Sequence, residues 1–121
     1  MAKHILVVLS NAQDGTDEQF NRWYTETHLG DILALPGYTA AQRFKVSEAQ
    51  MAAGDLPYQY LAIYEVDAED AASAADALRS NSGRMVIDPA LDRSRTVAWF
   101  YTPITERVQA QDTPSPMLAE R

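Results

Sequence analysis

Four strand-like segments and two helical segments follow one another along this chain in the order β-α-β-β-α-β. The strand-like segments are short runs of aliphatic, β-branched and aromatic residues, while one helical segment repeats apolar residues every three or four positions and the other is rich in alanine. This order predicts a ferredoxin-like α+β fold (βαββαβ): a four-stranded antiparallel sheet with two helices on one face. The predicted strands are residues 4–10, 38–46, 58–66 and 94–104, and the predicted helices are residues 17–35 and 68–80.

A sheet that is covered on one face leaves its other face bare. In the clearest strand, residues 58–66, Tyr58, Tyr60 and Tyr64 share one side. We expect part of this tyrosine stripe to lie on the bare face. Because a bare apolar face of that size marks an interface or a ligand cavity, the sequence predicts a homodimer in which the open faces of two sheets meet and enclose pockets.

Length and composition are those of one domain. The chain has 121 residues, 46% of them hydrophobic, which is enough for a core. We expect a domain over residues 1–105. The polar tail, residues 106–121, carries Pro114 and Pro116 and is expected to be flexible or docked on the partner subunit.

The charge excludes some classes of partner. The net charge is −7, and ten basic residues are scattered among seventeen acidic ones without a basic stripe. Since phosphate backbones and anionic lipids are bound through clustered lysine and arginine, neither nucleic acid nor a membrane is an expected partner. The apolar run at residues 5–9 is too short for a signal peptide or a membrane span, which favours a cytoplasmic protein.

The first helical segment carries the candidate chemistry. Trp23, Tyr24, His28 and Asp31 recur on one helix face, and His28 and Asp31, three residues apart, are neighbours there. A carboxylate beside an imidazole can orient it and raise its pKa, and such a histidine can move a proton in either direction. The alternative is structural: Asp31 caps a helix, and His28 is half-buried with its hydrogen bonds satisfied. In both cases Gly30 is expected to weaken or bend the helix.

The same segment resembles a known family. Residues 20–38 read F-x-x-W-Y-x-x-x-H-L-x-D-x-L-A-L-P-G-Y, and Arg43 and Phe44 follow. This pattern resembles the EthD-like branch of the dimeric α+β-barrel superfamily, over about the first 45 residues. Gly30 stands where many relatives have proline.

The resemblance implies a homodimer with a pocket between sheet and first helix in each subunit. Relatives include polyketide cyclases, cofactor-independent monooxygenases, muconolactone-type isomerases and proteins of unknown role in degradation operons. The family's helix histidine and aspartate match His28 and Asp31. The first strand is also similar to that of cyclase-type relatives, which makes His4 a secondary catalytic candidate; the alternative is a strand-end histidine near solvent.

Aromatic residues and one arginine are the candidate binding groups. Aromatic walls with hydroxyl groups suit a flat apolar ligand, although the same side chains could equally form a dimer core. Arg43 could pair with a substrate anion or make a surface ion pair. On the fourth strand Trp99 and Phe100 point to opposite sides, and the sequence does not say which side is inward. The substrate-binding candidates are Trp23, Tyr24, Arg43, Tyr60, Tyr64, Trp99 and Tyr101.

No cofactor or metal is indicated. The chain has no cysteine, which excludes disulfides, thiolate metal sites and a cysteine nucleophile, and its two histidines are far apart in sequence. No glycine-rich phosphate loop and no serine-centred nucleophile motif is present.

These observations favour a cofactor-independent enzyme, namely an isomerase, cyclase or lyase that acts by proton transfer. Its substrate would be a small hydrophobic compound, aromatic or polyketide-like, with His28 as acid or base and Asp31 as its orienting partner. One alternative is a cofactor-free monooxygenase of the same fold. Another is a non-enzymatic binding or accessory protein of a degradation operon, and a third is a dimeric scaffold whose own side chains fill the cavity.

Overall fold

A computed structural model describes residues 2–119 of the chain. One antiparallel sheet contains β1 (Ala2–Ser10), β2 (Tyr38–Lys45), β3 (Tyr60–Ala68) and β4 (Val97–Tyr101), in the order β2-β3-β1-β4. The first helical region consists of α1 (Asp17–Trp23), a π-helical turn (Tyr24–His28) and α2 (Leu29–Leu33), and α3 (Ala71–Asn81) lies between β3 and β4. The ferredoxin-like fold predicted from the sequence is therefore confirmed.

The tyrosine stripe of β3 faces the helices, so its predicted position on the bare face is wrong. Tyr64 pairs with Leu6 of β1, and both are almost fully buried, as is Tyr60. Alternation along a strand shows which residues share a side but not which side is covered. Both rings belong to the core beneath the first helix, where Tyr60 packs against Phe20.

The other face of the sheet is uncovered within one protomer. Trp99 and Tyr101 pair with Val7 and Ile5 across β1 and β4, and their exposed fractions are 48% and 51%. Ile63 lies on the same side, opposite Val7. Phe100, which pairs with Leu6, is the fourth-strand aromatic that points toward the helices.

The first helical region is irregular at the π-helical turn and not at Gly30, where the sequence predicted a bend. The backbone N–H of Leu29 bonds to the carbonyl of Tyr24, five residues earlier, which is the π-helical pattern. Gly30 lies inside the regular turn of α2 and has no neighbouring atom within 4 Å of the place where a Cβ would be.

A tight turn at Gly37 connects α2 to β2. Its φ is 88°, and a Cβ there would lie 2.9 Å from the backbone oxygen of Asp67, whose N–H donates to the Gly37 carbonyl. Only glycine accepts both conditions without strain. The next residue, Tyr38, is buried and donates to the Ala74 carbonyl of α3 at 2.7 Å, which connects the start of β2 to that helix.

The remaining segments are less regular. Residues 46–59 form an exposed loop with only Val46 and Tyr58 partly buried. The loop is longer than predicted, because residues 46, 58 and 59 were predicted to be strand. The fourth strand is shorter than predicted because a 3₁₀ turn, Arg93–Arg95, precedes it. The tail contains a 3₁₀ turn, Ala110–Asp112, and a short helix, α4 (Pro116–Ala119).

Candidate functional site

A cavity of about 510 Å³ lies between the sheet and the helical layer. Its deep end is formed by Leu6, Tyr24 and Tyr64, which are at most 2% exposed, and exposed residues such as Ala98 and Arg93 lie at its open end. A volume of this size accommodates a small organic ligand. The full lining consists of Leu6, Val8, Tyr24, His28, Ile32, Tyr64, Leu78, Ser82, Gly83, Met85, Ile87, Arg93 and Ala98.

His28 lies on the wall of this cavity, held between two aromatic rings. Its ring stacks on Trp23 with centroids 4.6 Å apart and meets the edge of Tyr24 at 4.8 Å. Its Nδ1 is buried and has no hydrogen-bond partner among the described residues. Burial lowers the pKa of His28 below its ordinary value; Asp31 opposes this shift and the positive charge of Arg43 adds to it. His28 is therefore neutral at pH 7 and able to accept a proton.

The π-helical turn produces this arrangement. Trp23 and His28 are five residues apart, which in a regular α-helix places them about 140° apart, at opposite edges of the predicted face. A turn with i→i+5 bonding brings them onto the same side, where their rings stack. Such turns are frequent at functional sites, and this one occurs where the candidate base meets the cavity.

Asp31 lies beside His28 but does not bond to it. It is half-buried and lines an adjoining pocket with Pro36 and Arg84 rather than the main cavity. No hydrogen bond between Asp31 and His28 occurs in residues 2–119. Asp31 raises the pKa of His28 through charge alone, which differs from the orienting contact expected from the sequence.

Tyr24 and Tyr64 form a hydroxyl pair at the deep end of the cavity. The Tyr64 hydroxyl donates to the Tyr24 hydroxyl at 3.1 Å. Burial raises the pKa of both phenols, so each keeps its proton at neutral pH. The pair can thus hydrogen-bond a ligand without carrying a charge.

Arg43 lies outside the cavity, in a cage of rings and polar groups. Its guanidinium lies 4.5 Å from the centroid of the Tyr24 ring. It donates to Asn21 Oδ1 at 2.8 Å and to Thr25 Oγ1 at 2.9 Å. Arg43 is therefore held by protein groups outside the cavity lining, and it influences the site through the Tyr24 ring and through its charge; its role as an anion anchor stays a prediction.

Two further candidates have structural contacts. Tyr60 donates its hydroxyl to Asp17 at 2.6 Å and accepts from Asn21, and it does not line the cavity. Trp23 donates its indole N–H to the Val86 carbonyl at 3.0 Å. This bond fixes the loop whose residues on either side of Val86 line the cavity.

The remaining candidates lie elsewhere. Trp99 and Tyr101 are on the bare face, so the sheet separates them from the cavity. His4 is 3% exposed and shares a hydrogen bond of 3.0 Å with Thr102, toward the other end of β1. Of the predicted residues, the structure brings together His28, Tyr24 and Tyr64, with Trp23 behind them.

The sequence did not predict the part of the cavity lining that comes from the irregular segments between α3 and β4. Met85, Ile87 and Arg93 come from segments without helical or strand periodicity. The available signal was local: an aspartate two residues before a serine, here Asp92 and Ser94, is typical of an Asx turn that fixes its neighbours.

Neither a membrane helix nor a metal cluster is found in the part of the chain that the structure describes. None of its helices combines the length and apolar character that crossing a bilayer requires. No group of three or more potential metal ligands occurs among residues 2–119. The cytoplasmic location stays a prediction.

Comparison with solved structures identifies relatives in fold. A candidate monooxygenase from Shewanella loihica has a TM-score of 0.55 and 20% identity, covering 86% of this chain and 96% of its own. An EthD-like protein from Ralstonia eutropha has a TM-score of 0.56 and 12% identity, with coverages of 88% and 97%. A dimeric ferredoxin-like protein of unknown function from Jannaschia has a TM-score of 0.54 and 11% identity, covering 82% of this chain and 97% of its own.

At the level of sequence, no family model matches the chain and no curated protein matches it. At these identities the solved structures show the fold alone. The chain therefore has the ferredoxin-like fold of these proteins, and their names agree with the resemblance of its first helix to EthD-like proteins.

Proposed function

We propose that this protein is a cofactor-independent enzyme that transfers a proton within a small hydrophobic carbonyl compound, with His28 as the base. The observation that supports this proposal is a neutral imidazole on the wall of a cavity whose deep end carries two protonated hydroxyls. A general base acts best when its pKa lies near the working pH, since it is then largely unprotonated before the substrate arrives and still basic enough to take a proton.

The proposed step needs no co-reactant. His28 takes a proton from the carbon beside a carbonyl group. The electron pair of that C–H bond forms the carbon–carbon double bond of an enolate, and the carbonyl electrons move to its oxygen. If the substrate also has a carbon–carbon double bond conjugated with the enolate, return of the proton to the far carbon of that bond completes an isomerisation. If the carbon next to the enolate carries a leaving group, that group departs with its bonding electrons, a second double bond forms, and the proton that His28 accepted is released to solvent, which completes an elimination. The cavity's apolar lining (Leu6, Val8 and Ile32 among others) would hold the substrate's hydrocarbon part.

The test is proton exchange with solvent. Phenylacetone is incubated with the protein in D₂O, and replacement of its benzylic protons by deuterium is followed by proton NMR. We expect exchange well above the buffer rate with the wild type and exchange near the buffer rate with His28→Ala. His4→Gln separates the two histidines, because His4 lies outside the cavity; exchange lost in His4→Gln and kept in His28→Ala would overturn the assignment of His28.

Two alternatives give different outcomes in the same assay. A cofactor-free monooxygenase would consume oxygen, so a product that forms only in air would favour that activity. A binding or accessory protein would retain a ligand but catalyse no exchange. Native mass spectrometry of the protein as purified, followed by denaturation, would show whether a small molecule is retained.

We also propose that the bare sheet face forms a homodimer. Ile5, Val7, Ile63, Trp99 and Tyr101 form a contiguous apolar surface there, and faces of this kind are usually covered by a partner. Light scattering after size exclusion is expected to give twice the chain mass for the wild type and the chain mass for Ile63→Glu. Ser80→Glu, on an exposed position of α3, should remain dimeric. A wild type that is monomeric at every concentration would contradict the proposal.

A further inference from the structure

An arginine that was not among the sequence-predicted residues lies at the open end of the cavity. Arg93 lines the cavity and is exposed. No ion pair or hydrogen bond of its side chain is found in the described residues. His28, the other basic residue of the lining, is neutral at pH 7. Arg93 is thus the positive charge that a ligand in this cavity would meet.

The turn that carries Arg93 is built from its neighbours. Asp92 is 9% exposed, and its carboxylate accepts bonds from Ser94 N at 3.1 Å, Ser94 Oγ at 2.6 Å and Arg95 Nε at 2.8 Å. The backbone N–H of Asp92 donates to Asn11, a buried residue at the end of β1. One arginine of this turn, Arg95, is therefore used to hold the turn, while Arg93 remains available beside the cavity.

The deep end offers a complementary group. Tyr24 and Tyr64 have two hydroxyl protons, and their mutual hydrogen bond uses one of them. The other has no acceptor within residues 2–119, although both side chains are almost fully buried. A buried donor without a partner favours any ligand that places an oxygen atom beside it. A carbonyl oxygen is such an acceptor, and it becomes a stronger one as an enolate forms.

We propose that the cavity selects oxo acids: the carbonyl oxygen accepts the spare hydroxyl proton of the Tyr24–Tyr64 pair, and a carboxylate at the other end of the molecule pairs with Arg93. The proposal names the substrate class of the proposed function and rests on it for the chemical step, but not for binding. The apolar residues between the two polar ends, such as Ile32 and Leu78, would contact the hydrocarbon part.

Three probes of similar shape separate the two contacts. 4-Acetylbenzoate carries both polar groups, its methyl ester lacks the charge, and 4-isopropylbenzoate lacks the ketone oxygen. Calorimetry gives a dissociation constant for each. With the wild type we expect 4-acetylbenzoate to bind about fivefold to tenfold more tightly than the methyl ester, as for a charge-assisted bond that is partly screened by solvent.

Each binding preference should be lost when the residue assigned to that contact is replaced. Arg93→Met is expected to remove the preference for the acid and leave the preference for the ketone. Arg84→Met, a control outside the main cavity whose side chain bonds to Asn81, should keep both preferences. Because either phenol alone can still donate, single Tyr→Phe variants should retain part of the ketone preference, and the double variant Tyr24→Phe/Tyr64→Phe should lose it. Removing both partners of a buried bond is nearly neutral for stability, so that variant should fold.

The outcomes distinguish this proposal from the proposed function. An acid preference that survives in Arg93→Met, or a ketone preference that survives in the double variant, would overturn the assigned contact. If the wild type binds every probe with a dissociation constant above about 1 mM, the proposed substrate class is overturned. In both cases, exchange of phenylacetone that depends on His28 would leave the role of His28 intact. The reverse result, selective binding without exchange, would support the ligand class and remove the chemistry.

Discussion

Three glycines provide a graded test of the backbone on which the candidate site is built. Gly15 and Gly37 both have positive φ, 77° and 88°, but only Gly37 has a close neighbour at the position of a Cβ. Gly30 lies in α2 with no such neighbour. Replacement of each by alanine therefore separates three effects: helix propensity, left-handed backbone, and left-handed backbone with a steric contact.

The expected free energies follow from these environments. Gly30→Ala should stabilise the fold by about 0.5–1 kcal/mol, because alanine is the better helix former. Gly15→Ala should destabilise it by about 1 kcal/mol, as expected for a left-handed non-glycine residue. Gly37→Ala adds a contact of 2.9 Å with the backbone oxygen of Asp67, which cannot turn away, so we expect a destabilisation of about 2–4 kcal/mol.

Thermal unfolding followed by circular dichroism measures the series. An unfolding entropy of about 2.1 cal/mol/K per residue over 121 residues makes 1 kcal/mol equal to a Tm change of about 4 °C. We expect Tm to rise by about 2–4 °C for Gly30→Ala and to fall by about 4 °C for Gly15→Ala and about 8–16 °C for Gly37→Ala. Equal losses at Gly15 and Gly37 would refute the close approach to Asp67, and a loss at Gly30 would refute its position in a regular helical turn.

Three further predictions concern protonation and packing. Asp31→Asn should lower the pKa of His28 further, because the Asp31 carboxylate raises that pKa. The pH at which the proton-exchange rate rises should then move to a lower value. An unchanged dependence of the exchange rate on pH would contradict the electrostatic effect of Asp31 on His28. The pKa of His28 is lower in the folded chain than in the unfolded chain, where it is 6.5, so the free energy of unfolding should decrease as the pH falls below about 6.5. Urea titrations at several pH values measure this decrease, which should be smaller for His28→Gln. Tyr38→Phe removes the bond to Ala74 and should destabilise the fold by about 1 kcal/mol in the same urea titrations, whereas an effect within error would mean that solvent replaces the bond.

The element order and the shared faces could be predicted from the sequence, because periodicity reports both directly. Alternation placed Tyr60 and Tyr64 together, and it separated Trp99 from Phe100. It could not tell which side of the sheet the helices cover. That choice depends on how the rings of β3 fit beneath Phe20, a contact between residues about forty positions apart.

The candidate site could be predicted only in part, because periodicity reports which residues share a helix face but not the irregular turns and long-range contacts that complete the site. A stripe at intervals of three and four residues places His28 beside Tyr24 whether the helix is regular or not. The stack of Trp23 on His28 requires a π-helical turn, and no residue type marks such a turn in the sequence. Arg93 was missed because its position depends on the Asp92 turn, and the backbone bond from Asp92 to the Asn11 carbonyl connects that turn to a distant part of the chain.

Arg43 is a candidate that lies outside the cavity but affects it through its charge. Its sequence position suggested an anion anchor, but its guanidinium bonds to Asn21 and Thr25 and lies against the Tyr24 ring. Burial is the main cause of the lowered pKa of His28, Asp31 opposes it, and the charge of Arg43 adds to the lowering without entering the cavity. Burial and the cage thus act in the same direction and favour a neutral imidazole on the cavity wall, while Arg93 presents an exposed positive charge at the open end. A site with both features can attract an anion without protonating the imidazole that we propose as the base.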